Sequence, residues 1–325
     1  MRMGSPPVSW GVIGFGDVVR RKSGPALLAD PGARIAAVAR ASGDVTEAAE
    51  ALNCRGCGTI EDLLDDAEVE AIYIATPPHT HEALVMRSLG AGKPIVVEKP
   101  LAPDAASAQR MVDAAQAAGV SLSVAYYRRC NPRLHRIRSM IRAGMVGEVQ
   151  TVEIRQLRSD GDRPLASWRG DPSVTPGGRL SDSHVHALDW LRHAFGPHQA
   201  VTGGVRAAGR GEMVAYGLKL PEALAAGVFH ANAVTAEDSI IVHGEEGEIT
   251  APFFDPGPIV VRREDGEISQ DVPEPKYGHQ PFFEAMGRHI RDGAPSPCPA
   301  AEAVGAAEII DRLITTPNAA HVAAE

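Results

Sequence analysis

Three groups of residues are of types and spacings that could do chemistry. Glu98-Lys99-Pro100 follows an apolar run over residues 94–97, which places a lysine just beyond a buried strand. Gly11-x-x-Gly14-x-Gly16 ends another apolar run and opens a helical pattern. Asp182, His186, Asp189 and His193 are spaced i, i+4, i+7 and i+11 and would share one helix face. A lysine can polarise a carbonyl oxygen or hold an alkoxide, and a histidine can exchange a proton with it near neutral pH. With a dinucleotide-type turn, these are the parts of a nicotinamide-dependent carbonyl or alcohol enzyme.

Each group also has a plainer reading: a strand–helix turn, a solvated loop lysine, a capped surface helix. The elements that position them decide between the readings. Short β-branched runs alternate with helical stretches of about ten residues up to residue 126, which implies βαβ units and a parallel sheet. Strands are expected at Val8–Ile13, Arg34–Ala39, Ala71–Ala75, Pro94–Val97 and Ser121–Ala125. A helix over Asp17–Ala29 should break or bend at Gly24-Pro25. Beyond residue 126, hairpin-like strands dominate from Val149 to Val272. Helices Asp182–Ala194 and Pro281–Arg291 should cover one face of a mostly antiparallel sheet, and a last helix covers Ala300–Ile314. The expected organisation is therefore α/β. A parallel-sheet domain of βαβ units spans 1–126, and an α/β domain with a mostly antiparallel open sheet spans 127–325.

The turn's Gly14 and Gly16 would let backbone approach a pyrophosphate, with Phe15, Asp17 and Val18 supplying the start of the helix. Val19 replaces the third fingerprint glycine. The second strand ends Val38-Ala39-Arg40 without a carboxylate for the ribose 2′-hydroxyl, and Arg40 suits a 2′-phosphate instead. NADP is the favoured cofactor, with NAD the alternative.

Composition narrows the class. The chain of 325 residues is long enough for about two domains. A net charge of −9 argues against general nucleic-acid or anionic-membrane binding. No apolar run reaches about 18 residues, so no membrane helix is expected. The start of the chain runs directly into a strand pattern without a signal-like apolar region, and a cytoplasmic protein is the expectation. Four cysteines are too few for a disulfide scaffold; Cys54-x-x-Cys57 could be a redox pair or half a zinc site, but no second pair follows. His184-x-His186 would chelate a metal on a strand. On a helix the two side chains point about 200° apart, so no metal site is expected.

In order, Ala71–His81, Ala91–Pro100, Ala125–Pro132, Trp168-Arg169 and Gly177-Gly178-x-x-x-Asp182-x-x-x-His186 make the chain resemble the glucose–fructose oxidoreductase / inositol dehydrogenase (Gfo/Idh/MocA) family from about Trp10 to Leu313. The resemblance implies a doubly wound Rossmann domain over 1–126, a substrate-binding and oligomerisation domain over 127–325, and residue roles. Lys99 matches the family's catalytic lysine, His186 its acid/base and Asp182 its active-site aspartate. Thr76, Pro77, His81, Glu98 and Lys99 match positions around the nicotinamide half of the cofactor. Trp168 and Arg169 match a pair that touches the cofactor in sugar-reducing members. Tyr126 and Arg129, with Asp182 and His186, are expected to meet the substrate, and the open sheet to pack on a partner subunit in a homodimer or homotetramer. Three departures stand out: Pro78 for a common Asn, His184 for a small residue, and Cys130 for an aromatic. The reading is an oxidoreductase acting on a sugar, cyclitol or related polyhydroxylated molecule. Its rivals are a cofactor-binding regulator without turnover and a dihydrodiol-type dehydrogenase with an apolar pocket.

Overall fold

A computed structural model describes residues 6–41, 43–159, 168, 171, 174–208 and 211–316. The chain divides into two compact units. One holds the chain up to Asn131 together with Pro275–Val304; the other holds Pro132–Glu274 and the chain from Gly305.

The first unit is built on six parallel strands: β1 (Val8–Ile13), β2 (Ala33–Ala39), β3 (Arg55–Gly56), β4 (Ala71–Ile74), β5 (Ile95–Val97) and β6 (Leu122–Val124). Their order is β3-β2-β1-β4-β5-β6, a doubly wound sheet. Every residue of β1, β4 and β5 is buried, because helices cover both faces and the strands read as continuous apolar runs. Those helices are α1 (Gly24–Ala29), α2 (Thr46–Leu52), α3 (Ile60–Leu64), α4 (His81–Leu89) and α5 (Ala105–Ala117). Local chemistry starts two of them. Thr59 and Asp62 form a reciprocal capping box on α3, and Asp104 accepts from the Ser107 N–H at the head of α5.

Gly24-Pro25 does not break the first helix as the sequence suggests. The helix instead widens into a π-turn over Val19–Ser23 and continues as α1 with Pro25 in its first turn. A side chain at Gly24 would strike the Val19 carbonyl, so glycine permits the widening. The Gly24 N–H closes the wider turn by donating to the Val19 carbonyl.

The second unit opens with α6 (Pro132–Arg142) and carries eight strands: β7 (Val149–Leu157), β8 (Ala200–Ala208), β9 (Gly211–Lys219), β10 (Leu224–His230), β11 (Glu237–Gly244), β12 (Gly247–Ala251), β13 (Ile259–Arg263) and β14 (Gly266–Gln270). Their order is β14-β13-β12-β11-β7-β10-β9-β8. All neighbours are antiparallel except β7 and β10, which pair in parallel. Burial alternates along β7, with Val152, Ile154 and Gln156 inside and Glu153 outside, as a sheet covered on one face requires. A π-turn over Leu180–His184 leads into α7 (Val185–Phe195). Strands β3, β8 and β12 escape the sequence pattern: β3 has two residues, and β8 carries Gly203-Gly204 in its middle.

The return of Pro275–Val304 to the first unit has a packing cause. On α8 (Gln280–Asp292), Phe283 sits edge-on to Trp10 at 5.5 Å and to Tyr73 at 5.2 Å between ring centroids. Arg291 pairs with Glu70 and donates to the Pro6 and Pro7 carbonyls. Beyond it, the Val124 N–H donates to the Cys298 carbonyl at the edge of β6. The last helix is α9 (Ala300–Thr315). Among the described residues no helix is long and apolar enough to cross a membrane.

Candidate functional site

Three segments leave the carboxyl ends of adjacent strands in the first unit. Gly14–Gly16 follows β1, Thr76-Pro77 follows β4, and Glu98-Lys99 follows β5. Parallel sheets bind ligands at this edge.

The two glycines of the first segment have different reasons. Gly14 has φ of +105°, and a Cβ there would lie 2.5 Å from the Ala75 carbonyl oxygen, so the turn itself demands glycine. A Cβ on Gly16 would meet nothing within 4 Å. Gly16 is therefore not a packing glycine; its foreground is open at the start of a helix, the place where backbone can approach a pyrophosphate. Phe15 is buried and carries the Arg20 guanidinium over its ring at 4.4 Å. Asp17 is exposed and Val18 half-buried in the first helical turn. The residues present fit a dinucleotide.

Arg40 leaves the end of β2 half-buried and donates to the Asp44 carbonyl at 2.7 Å. The Asp44 carboxylate is engaged by Thr46: its Oδ1 accepts from the Thr46 hydroxyl and N–H, which hold its carboxyl below the usual range. The β2 end thus presents a cation.

His81 lies completely inside. Its Nε2 faces the Thr76 carbonyl at 2.9 Å, and its Nδ1 faces the Pro100 and Leu101 carbonyls at 3.1 Å. It clamps the turn after β4 to the loop after β5, so any influence on a cofactor passes through those loops. Burial pulls its pKa down against the three carbonyls. Thr80 donates to the Pro77 carbonyl at 2.7 Å and shares a 2.7 Å hydrogen bond with Thr76.

Glu98 also turns inward. Its carboxylate accepts from the Tyr73 hydroxyl at 2.5 Å and from the Lys99 N–H at 3.2 Å. His279, stacked on Tyr127, places Nε2 3.7 Å from the same carboxylate. Burial pushes the Glu98 carboxyl up, but His279 and Tyr73 outweigh it and hold it below the usual range. Lys99 remains half-exposed above this anchor, and its peptide bond to Pro100 is cis. Tyr126 is 1% exposed, and the buried Arg129 donates to Glu302. Neither presents an open side chain in the first unit. Cys130 is half-buried, and burial pushes its thiol up to about 12.

In the second unit, Asp182 lies half-buried in the π-turn and His186 in the first turn of α7, 3% exposed. The expected single α-helix from Asp182 is thus two pieces, with the pair straddling the junction. The Phe254 ring meets His186 edge-on at 6.2 Å, and Asp238 fixes the Phe254 loop by accepting from the Phe254 and Asp255 N–H groups at 2.6 and 2.7 Å. His184 points into the interior, both nitrogens engaged by Gln156 and Tyr216. Trp168 is half-buried, its carbonyl accepting from the Asp171 N–H at 3.2 Å; Arg169 lies outside the described residues.

Burial pushes the Cys54 thiol up to about 11 and raises Cys57, which keeps both protonated near neutral pH. Among the described residues no group of three or more His, Cys, Asp or Glu is placed to hold a metal ion.

Sequence reasoning missed Tyr73, His279, Gln156, Tyr216 and Phe254. Two had a signal. Tyr73 is the polar member of the apolar strand Ala-Ile-Tyr-Ile, and Gln156 falls in step with Val152 and Ile154. A polar group at a buried position requires a partner.

The sequence matches the oxidoreductase family with an NAD-binding Rossmann fold, Gfo/Idh/MocA, over residues 8–126, and the Gfo/Idh/MocA C-terminal domain over residues 134–250. An oxidoreductase of Formosa agariphila is 27% identical over 327 residues, 94% of this chain and 97% of that one. A 1,5-anhydro-D-fructose reductase of Ensifer adhaerens is 30% identical over 251 residues, 74% of each chain. A solved levoglucosan dehydrogenase in complex with NADH and L-sorbose superposes with a TM-score of 0.84 at 22% identity, over 95% of this chain and 96% of that one. At that identity the likeness is one of fold.

Proposed function

The chain belongs to the Gfo/Idh/MocA oxidoreductase family, and from that premise we propose that it prefers NADP and acts on a sugar, cyclitol or related polyhydroxylated molecule. The chain is an NAD(P)-dependent oxidoreductase of CH–OH groups. The observation that supports a dinucleotide site is the sheet edge, where Gly14–Gly16, Thr76-Pro77 and Lys99 leave three adjacent strands in the order β1, β4, β5; NADP is supported by Arg40 at the end of β2, which carries no carboxylate.

When bound, the nicotinamide cofactor supplies or accepts the hydride. The chain's own residues do the rest. Gly14, Phe15, Gly16, Asp17 and Val18 would cradle the pyrophosphate, and Arg40 would pair with a 2′-phosphate. Thr76 and Pro77, braced by His81, would border the nicotinamide with Lys99 and Trp168, while Glu98 would act from beneath through Lys99. Lys99 Nζ holds the oxygen on which negative charge develops, and Glu98 fixes the Lys99 backbone beneath it. His186 gives that oxygen its proton in reduction and takes it in oxidation, with Asp182 orienting the substrate hydroxyls. The names of relatives support the substrate class: an anhydrofructose reductase and a levoglucosan dehydrogenase both act on sugars.

Fluorescence titration with NADPH and NADH, followed by a panel of sugars and cyclitols, tests this reading. Tighter NADPH binding and turnover of at least one polyol or sugar are expected. Binding without turnover across the panel would make the chain a cofactor-binding regulator instead.

Assembly follows from the uncovered face of the second sheet. On that face Leu224 is 57% exposed, with Ala226 and Val228 beside it on β10 and Ile241 on β11. A second subunit packed there gives a homodimer or homotetramer. A monomer by light scattering at micromolar concentration would contradict it.

A further inference from the structure

The second unit buries a directed chain of hydrogen bonds beside the proposed acid/base. His184 is fully buried at the end of the π-turn, two residues before His186. Its Nδ1 lies 2.8 Å from Gln156 Oε1 and its Nε2 lies 2.9 Å from the Tyr216 hydroxyl. The Gln156 side-chain N–H in turn donates to Ser183 Oγ at 3.3 Å. An amide oxygen only accepts, so His184 carries its proton on Nδ1 and donates to Gln156. Nε2 is then bare and accepts from Tyr216. Every proton has one place. Burial pulls the His184 pKa down to about 3, so the ring is neutral near neutral pH.

Three adjacent strands supply the partners. Gln156 is on β7, Tyr216 on β9, and Phe229 of β10 lies against the His184 ring at 5.2 Å between centroids. Gly227 sits opposite Tyr216 in the β10–β9 register, and any side chain there would run into the phenol ring. The glycine gives Tyr216 the room to reach His184. A π-turn holds one residue more than an α-turn and persists where its surroundings enforce it. Here Ser183 and His184, which follow Asp182 and lead into His186, are both tied to the sheet.

We propose that Tyr216, His184 and Gln156 are positioning residues that fix the rotation of the π-turn, and with it the aim of Asp182 and His186. The inference rests on the reading in which His186 exchanges the substrate proton. None of the three needs to touch substrate or cofactor.

Tyr216→Phe removes the hydroxyl and keeps the ring. It should lower kcat by about 10- to 100-fold, the loss that misplacing a reacting group by roughly 1 Å brings, with NADPH affinity within about twofold of wild type. His184→Asn, which keeps a donor for Gln156, should lose less than His184→Leu. Combined with His186→Ala, Tyr216→Phe should cost clearly less than it does alone, because one of the two groups it aims is gone. Imidazole nitrogen spectra give a readout without turnover: His184 should be in its Nδ1–H form, and Tyr216→Phe should shift the His186 resonances. Wild-type kcat in Tyr216→Phe, a loss that adds in full to that of His186→Ala, or unmoved His186 resonances would overturn the proposal. Full activity in His186→Ala itself would overturn the acid/base reading beneath it, a separate result.

Discussion

The Tyr73 hydroxyl donates to Glu98 Oε1 across 2.5 Å, while the other carboxylate oxygen takes the Lys99 N–H. The ionised Glu98 is therefore the buried footing of the lysine. Its carboxyl is depressed on folding, so it contributes stability above the ordinary glutamate value of about 4.3 and loses that contribution as the pH falls through its folded value. Tyr73→Phe should cost about 1–3 kcal/mol of unfolding free energy at pH 7, a carboxylate left short of a donor. Urea unfolding should show the gap to wild type closing below about pH 4. A gap unchanged across that range would place the cost in packing against Phe283.

His184 also has a depressed pKa, but here because burial favours the neutral ring. Its folded pKa is about 3 against an ordinary value of 6.5, so the unfolded chain takes up a proton that the folded chain refuses. Its share of the stability should be complete above about pH 6.5 and fade as the pH falls from there toward about 3. Denaturation curves should show the difference between wild type and His184→Asn narrowing over that window. A constant difference would contradict a neutral buried ring.

The two glycines of the first turn should fail differently. Gly14→Ala forces a positive φ on alanine and drives its Cβ at the Ala75 carbonyl, so it should lower the melting temperature. Gly16→Ala meets only open space within the chain. It should leave the melting temperature near wild type and weaken NADPH. Equal affinity for NADPH in Gly16→Ala would remove the turn from the cofactor site.

Cofactor choice is expected to rest on Arg40. Its replacement by alanine should weaken NADPH by about 1–3 kcal/mol, a lost charge-assisted contact, and barely change NADH. A wild-type preference for NADH, or an equal loss of both, would contradict the assignment.

Most of the first sheet was legible, because strands covered on both faces carry unbroken apolar runs such as residues 71–74. Motif residues were legible as types, and their surroundings were not. Glu98 and His81 read as cofactor neighbours, yet both turn inward to brace loops, a choice made by Tyr73, by the distant His279 and by backbone carbonyls on two loops. Pairing partners separated by up to about 180 residues leave no local periodicity to read. The same holds for the two π-turns: nothing in the local residue types marks where one extra residue enters the helix. The return of Pro275–Val304 depends on Phe283 meeting Trp10, which no change of composition marks.

The most direct test of the catalytic assignment is His186→Ala with both turnover and cofactor binding measured. The histidine belongs to the second unit and the Gly14–Gly16 turn to the first. Removing a positioned acid/base costs about 10²–10⁴ in rate. On a sugar or cyclitol that the wild type turns over, kcat should fall by at least about 10²-fold with NADPH affinity near wild type. Unchanged kcat would contradict the mechanism and leave His186 a buried structural residue at the head of α7.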